Sequence, residues 1–242
     1  MLKLKDVSAV VDTVPVLSNI NLEIKSGEIH AILGPKGGGK SSLAHLIQGN
    51  PFIKLTDGNI TFRNKSIIKH PPNKRSKLGI FTTFQYPPEI EGLSNREFVK
   101  AVVEAVIDGP FTSDMEEAYK LLIKEVGLDS RFIDDSVNTE TRPVSDWRKG
   151  ELAQALLLQP NIMILDEIDA GVDEESLNYI IAMIKSYLED KNKSLIMITH
   201  SNTLLDAIQP DYVHVLVNGE IREEGGTELY KRIIEDGNTQ FS

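Results

Sequence analysis

Cysteine is missing from all 242 residues, which excludes a disulfide framework, a thiolate metal site and thiol redox chemistry on this chain. Any metal must be a hard ion or belong to a partner. Long apolar runs are missing too. No stretch of about 18 apolar residues stands ready to cross a membrane, and the first 15 residues have neither an unbroken apolar region nor a cleavage-like site. The expectation is a cytoplasmic chain without direct membrane insertion. Positive charge is scarce, with 26 Lys and Arg against 36 Asp and Glu and a formal charge of −10. That balance argues against nucleic acid or an anionic membrane surface as partner. Neither an internal repeat nor a low-complexity tract occurs, and 40% apolar content is ample for one large domain or a core with an insertion.

What is present begins with Gly34-Pro35-Lys36-Gly37-Gly38-Gly39-Lys40-Ser41-Ser42, a full match to GxxxxGK[ST] between the apolar runs Ile29 to Leu33 and Leu43 to Ile47. Strand, glycine-rich loop and helix follow in the order a phosphate-binding loop requires. The glycines let backbone N–H groups turn inward around phosphate oxygens, and the helix N-terminus adds its positive dipole end. Lys40 is placed to reach the β- and γ-phosphates and Ser41 to offer a hydroxyl to Mg²⁺, while Ser42 begins the helix. The nine residues from Gly34 to Ser42 are the candidate nucleotide ligands.

Around this loop the pattern alternates. Residues 1 to 25 read as β-rich, Asp57-Gly58 introduces a short strand at Ile60 to Phe62, and an apolar segment runs from Leu78 to Gln85 before Tyr86-Pro87-Pro88. From about Ser94 to Leu128 the apolar spacing is helical. A helix is predicted from Asp146 to Gln159, a buried strand at Ile162 to Leu165, a helix over 174–189, a strand at Ser194 to Thr199, a short helix near 202–208, and a strand at Tyr212 to Val217 leading into an Asn218-Gly219 hairpin. The expected class is α/β. One domain over 1–242 is expected, with a nucleotide-binding core at 1–88 and about 160–242 and a helical subdomain at about 89–159.

A phosphate loop alone shows only that a nucleoside triphosphate binds. The strand Ile162 to Leu165 ends in Asp166-Glu167, which sets one carboxylate toward Mg²⁺ and a second where it can accept a proton from attacking water. His200 follows the next apolar strand, at the sheet edge where ligands bind in such folds, and is the candidate γ-phosphate contact.

These residues resemble the ATPase subunits of ATP-binding cassette (ABC) systems over nearly the whole chain. The resemblance implies a RecA-like P-loop core with an N-terminal antiparallel β subdomain and a helical insertion. It implies ATP hydrolysis, with Gln85 touching Mg²⁺ and the water, and Asp173 in Asp169-Ala170-Gly171-Val172-Asp173 meeting the opposite subunit of a transient, ATP-dependent homodimer. Within the family, Phe84 to Asn95, Ser136-Val137-Asn138, Leu165 to Asp173 and Pro210 to Leu216 are similar to the SufC branch, ATPases of the SUF iron–sulfur cluster assembly system. That likeness implies β-helical scaffold partners, SufB and SufD, and the lack of cysteine agrees, since a cluster then needs the partner's thiolates. A transporter ATP-binding subunit and a non-hydrolysing ATP-binding subunit are the alternatives. No aromatic precedes the loop to stack on adenine; Val11 and Val14 occupy that region and offer apolar contact.

One departure matters. Where the family carries Leu-Ser-Gly-Gly-Gln/Glu, this chain has Arg142-Pro143-Val144-Ser145-Asp146-Trp147. The family uses the serine and glycines to grip the γ-phosphate held by the opposite subunit. Pro143 has no N–H to give, and Asp146 sets an anion near an anion. Slow hydrolysis is expected, since one preorganised donor is worth about 10²- to 10³-fold in rate. Ser145-Asp146 reads as the cap of the following helix with Trp147 packed beside it. The sharper alternative is that Arg142 or Arg148 reaches across as an arginine finger.

Overall fold

The computed structural model describes residues 1–84 and 89–235. In chain order its elements are β1 (Leu2–Val11), β2 (Val14–Ile24), β3 (Ile29–Leu33), α1 (Lys40–Gln48), β4 (Ile53–Phe62), β5 (Lys65–Ser66), α2 (Pro72–Lys77), β6 (Ile80–Thr82), β7 (Ile90–Ser94), α3 (Asn95–Ile107), α4 (Ser113–Glu125), a 3-10 turn (Ser130–Ile133), β8 (Ser136–Val137), α5 (Val144–Leu158), β9 (Ile162–Asp166), α6 (Glu174–Tyr187), β10 (Ser194–Ile198), α7 (Asn202–Ile208), β11 (Tyr212–Val217), β12 (Glu220–Gly225) and α8 (Thr227–Glu235). They fall into two units. One comprises Met1–Thr82, Asn161–Glu167 and Asp190–Ser242, the other Thr83–Pro160 and Ile168–Glu189. Residues 168–189, expected with the core, join the helical unit because α6 packs against α5.

In the first unit six strands form one sheet in the order β12-β11-β3-β10-β9-β6. All neighbours are parallel except the β11–β12 hairpin. Every residue of β9 and β10 is buried, as their unbroken apolar runs predict for a parallel sheet covered on both faces. Two imidazoles sit inside it. His30 on β3 and His214 on β11 stack with planes 4° apart, and Nδ1 of His30 lies 2.9 Å from Nε2 of His214. Glu28 and Glu224 meet their outer nitrogens at 3.1 and 2.8 Å. Burial pushes His30 down to about 4 and His214 down as well, so the pair is uncharged at neutral pH.

An antiparallel sheet, β2-β1-β4-β5, forms the other layer of this unit. Its first strand alternates buried and exposed positions at its start, the mark of a sheet with one dry face. Helix α1 packs on β4 of this sheet and on β6 and β9 of the parallel one, burying Leu43, Ala44, Leu46 and Ile47. The strand expected at Ile60 to Phe62 is longer than predicted. Asp57-Gly58 is a break within β4, where the pairing with β1 shifts register and Gly58 takes φ +85°. A turn-forming dipeptide has made a β-bulge. Helices α2 and α8 have no counterpart in the sequence-based reading.

The second unit holds α3, α4, α5, α6, the 3-10 turn and the β7–β8 pair. Ser94 and Glu97 form a reciprocal capping box on α3. Gly150 lies so close to the Phe132 ring that a Cβ there would come within 2.3 Å of it. Among the described residues no helix is long and apolar enough to cross a membrane.

Candidate functional site

The nucleotide cradle forms at the C-terminal ends of β3, β9 and β10, three adjacent parallel strands. β3 runs directly into the glycine loop. Gly34 has φ +137°, and a Cβ on it would stand 2.1 Å from the carbonyl oxygen of Leu216, so no other residue fits between loop and β11. The hairpin beyond β11 closes on the same loop, with Gly219 N–H donating to Gly38 O at 2.9 Å. Asn218-Gly219, readable only as a connection, is therefore a buttress of the phosphate loop. Gly38 is buried in this contact, whereas Lys36 and Gly37 form an exposed crest and Pro35 is half-buried.

Helix α1 starts at Lys40, with Gly39 as N-cap at φ +104° and no side-chain cap. Ser42, expected to begin the helix, lies inside its first turn. Lys40 is buried and folds back on the loop, its Nζ donating to Gly34 O at 2.8 Å and Pro35 O at 2.9 Å. Burial lowers its pKa, opposed by Glu167 and Asp166. Ser41 Oγ donates to Asp166 Oδ1 at 3.2 Å, and Asp166 is wholly buried at the end of β9. A hydroxyl and a carboxylate at this spacing are donors a hard divalent cation accepts. Among the described residues no group of three His, Cys, Asp or Glu could hold a metal ion.

Glu167 follows with φ +50°, its N–H donating to Ile198 O at 2.8 Å. Asp166 pairs with Ile198 across the β9–β10 ladder. This register places Glu167 and the exposed His200 just beyond neighbouring strand ends. Thr199 Oγ1 accepts from Ser201 N–H at 2.9 Å and shapes the turn that carries His200. The cradle thus collects Gly34 to Ser42, Asp166, Glu167 and His200 in one unit. Gln85 lies outside the described residues.

Asp173 belongs to the second unit. It caps α6, accepting from Ser176 N–H and Oγ, both at 2.9 Å, and these bonds, with a further one from Ser145, lower its pKa. The segment standing in for the family signature is mixed, with Pro143 and Val144 exposed and Arg142, Asp146 and Trp147 half-buried. Helix α5 starts at Val144 after Pro143, without a side-chain cap, so Ser145-Asp146 is not the cap the sequence suggested. Ser145 is buried. Trp147 Nε1 donates to Thr139 O at 3.1 Å.

Arg142 holds three carboxylates at once: Asp129 at 3.0 Å, Asp146 at 3.0 Å and Asp135. Burial would lower its pKa, but these bonds outweigh it and raise it. In return Arg142, aided by Arg131, pulls Asp129 down to about 2. Arg148 is buried, donates to Phe84 O and lies 3.7 Å from Glu151. The arginine-finger expectation fails on these contacts, because both guanidinium groups are engaged within their own unit. Asp129 and Asp135 were missed in the sequence, where nothing distinguishes them from other surface acids.

A glycine cradle, a loop lysine and a Ser–Asp pair beneath a second acid define a P-loop nucleotide-binding cassette. The chain belongs to the ABC ATPase family, its residues 17–170 matching the family described as ABC transporter. It is 38% identical over 238 residues to the probable ATP-dependent transporter ycf16 of Cyanophora paradoxa, covering 96% of this chain and 91% of that one. The probable ATP-dependent transporter SufC of Escherichia coli is 35% identical over 242 residues, with 98% and 97% covered. The iron-sulfur cluster assembly protein SufC of Plasmodium falciparum is 36% identical, over 100% of this chain and 71% of that one. A dimeric bacterial ABC transporter cassette of known structure superposes with a TM-score of 0.82 at 24% identity, covering 94% of this chain and 99% of that one; this likeness concerns the fold.

Proposed function

We propose that this ABC ATPase is a SufC-type subunit that binds Mg·ATP, hydrolyses it slowly and uses the cycle to change the conformation of a SufB/SufD-like scaffold during iron–sulfur cluster assembly in the cytoplasm. The full-length likeness to proteins named SufC is the observation that supports this reading most. ATP enters with its phosphates in the Gly34–Ser42 cradle, and Lys40 leaves the Gly34 and Pro35 carbonyls for the β- and γ-oxygens. Val14, exposed at the start of the strand whose Val16 carbonyl borders Gly39, offers adenine an apolar surface. Ser41 and Asp166 would hold Mg²⁺, with Gln85 as a further ligand. When bound, the ion supplies charge neutralisation at the phosphate oxygens. Glu167 accepts a proton as water attacks the γ-phosphorus and the bond to the β-phosphate oxygen breaks, releasing ADP and phosphate, while His200 holds a γ-oxygen. Asp173 faces a second subunit in a transient homodimer. Turnover is slow because Pro143 and the inward-turned Ser145 and Asp146 give the opposite γ-phosphate no ordinary signature.

Co-purification from cells tests the reading. A scaffold protein carrying iron and acid-labile sulfide is the expected companion. Recovery only with a membrane permease would instead favour the transporter role that several relatives carry in their names.

A further inference from the structure

Four titratable groups stand in one row within the first unit. Glu28 Oε2 lies 3.1 Å from His30 Nε2, His30 Nδ1 lies 2.9 Å from His214 Nε2, and His214 Nδ1 lies 2.8 Å from Glu224 Oε1. Each contact of this length calls for one proton, but two uncharged imidazoles bring only two protons to the three contacts. The carboxylates decide which contact goes short. A charged acceptor holds an N–H about twice as strongly as a neutral one, so His30 turns its Nε2–H to Glu28 and His214 its Nδ1–H to Glu224. His30 Nδ1 and His214 Nε2 are then two lone pairs facing each other, on side chains only 2% and 6% exposed.

This facing pair spans the seam between β3 and β11, which run paired from His30 and Tyr212 to Leu33 and Val215. Both strands serve the phosphate loop. β3 enters it at Gly34, and two residues beyond His214, about 7 Å along β11, the Leu216 carbonyl borders Gly34 and Gly38. Around the row, Asp211 accepts from Ile29 N–H at 2.8 Å and the Tyr212 ring lies against His30 with centroids 4.8 Å apart. Lys25 reaches Glu28 at 3.9 Å, Lys3 of β1 pairs with Glu23 of β2 at 2.8 Å, and Arg232 of α8 bonds to Glu223 of β12. A cavity of about 650 Å³, lined by Lys3, Glu23, Asp211 and Glu224 among others, reaches both rings and gives a proton its way in.

We propose that His30 and His214 form a proton-binding site in which a third proton, held between the two facing nitrogens, clamps β3 to β11 and so braces the loop that receives the nucleotide phosphates. The 2.9 Å gap suits a proton rather than a metal ion, since two nitrogens each about 2.0 Å from a tetrahedral zinc stand about 3.3 Å apart. Burial disfavours the charge this proton brings, whereas Glu28 and Glu224 favour it. Filling the site therefore takes acid. His30 is held at about 4 against an ordinary 6.5, so within that window the unfolded chain binds more protons and overall stability falls as pH falls. Nucleotide affinity moves the opposite way, because the clamp acts within the folded chain.

The inference rests on Gly34 to Ser42 being the nucleotide cradle, and its test keeps the two apart. NMR of the full chain with isotope-labelled histidine follows both rings from about pH 7.5 to about pH 4. At the upper end His30 should carry its hydrogen on Nε2 and His214 on Nδ1, and on acidification the two rings should titrate together as one step. Saturating ADP should raise the pH of that step by at least ~0.5 unit, equivalent to about 3-fold tighter ADP binding by the proton-bound form. His214→Gln removes one facing nitrogen; it should still bind ADP, but ADP should no longer shift the titration of His30. A hydrogen on Nδ1 of His30 at neutral pH, or two independent titrations, overturns the clamp. A joint step that ADP leaves in place overturns its link to the loop, as does an equal ADP shift in His214→Gln. Absence of ADP binding at every pH overturns the cradle reading instead, and the joint titration then still decides the clamp.

Discussion

Lys40 and Arg142 are both largely buried cations, yet the two regions that hold them treat charge in opposite ways. Lys40 rests on two neutral carbonyls, with Asp166 and Glu167 nearby but not bonded to it. Such a cation can be drawn away by a stronger anion at little cost, and a triphosphate is one. Arg142 is bonded to three carboxylates that already satisfy it, and removing it would strand them. The cradle's cation rests on groups a triphosphate would outcompete, whereas the cation beside the signature's place is fully paired within its own unit. The two regions thus hold their cations in opposite ways, one on neutral carbonyls and one in a carboxylate knot.

The largest expected effect comes from the cradle. Lys40→Ala should lower ATP affinity more than ~100-fold by titration calorimetry, since it removes a charge-assisted contact to phosphate from the buried floor of the loop; wild-type affinity would mean the loop does not hold the phosphates. Glu167→Gln should cut hydrolysis by about 10²- to 10⁴-fold while nucleotide is still bound, and unchanged phosphate release would remove Glu167 from the chemistry. Replacing Pro143-Val144-Ser145-Asp146 by Ser-Gly-Gly-Glu should raise turnover roughly 10-fold or more. A flat result would place the rate limit elsewhere.

The smallest effect concerns the knot itself. Arg142→Ala should destabilise the protein by about 1–3 kcal/mol in urea melts without changing ATP affinity. It should also alter the acid response. Asp129 is held near 2 in the folded chain against an ordinary 3.8, so between those values the unfolded chain binds more protons and stability falls as pH falls. Wild type should lose stability over that window and Arg142→Ala should lose less of it. Parallel acid curves would show that the Arg142–Asp129 pair contributes nothing.

The cradle was readable because its chemistry is local. Nine consecutive residues make the loop, and Asp166-Glu167 and His200 follow apolar runs that could only be buried strands. Their convergence needed only the parallel order of β3, β10 and β9. Arg142 was not readable in the same way, since Asp129 and Asp135 lie thirteen and seven residues before it and ion pairs leave no periodic mark. The sequence left a reaching arginine as an alternative, and the fold holds Arg142 tethered instead. Asp57-Gly58 misled for a related reason, because the same dipeptide serves a turn or a bulge and only the pairing with β1 decides. Helix α2 opens on Pro72 after Pro71 as N-cap, buries only Arg75 and shows no apolar stripe to announce it.

The hairpin at Asn218-Gly219 carries a consequence for anyone altering this protein. Surface turns of this kind are the usual places to graft a tag, a fluorophore or an extra loop. Here the turn also bonds to Ser18, with Gly219 O accepting from its N–H at 2.8 Å, while its own N–H reaches Gly38. An insertion there would break both bonds and leave the glycine loop without its brace.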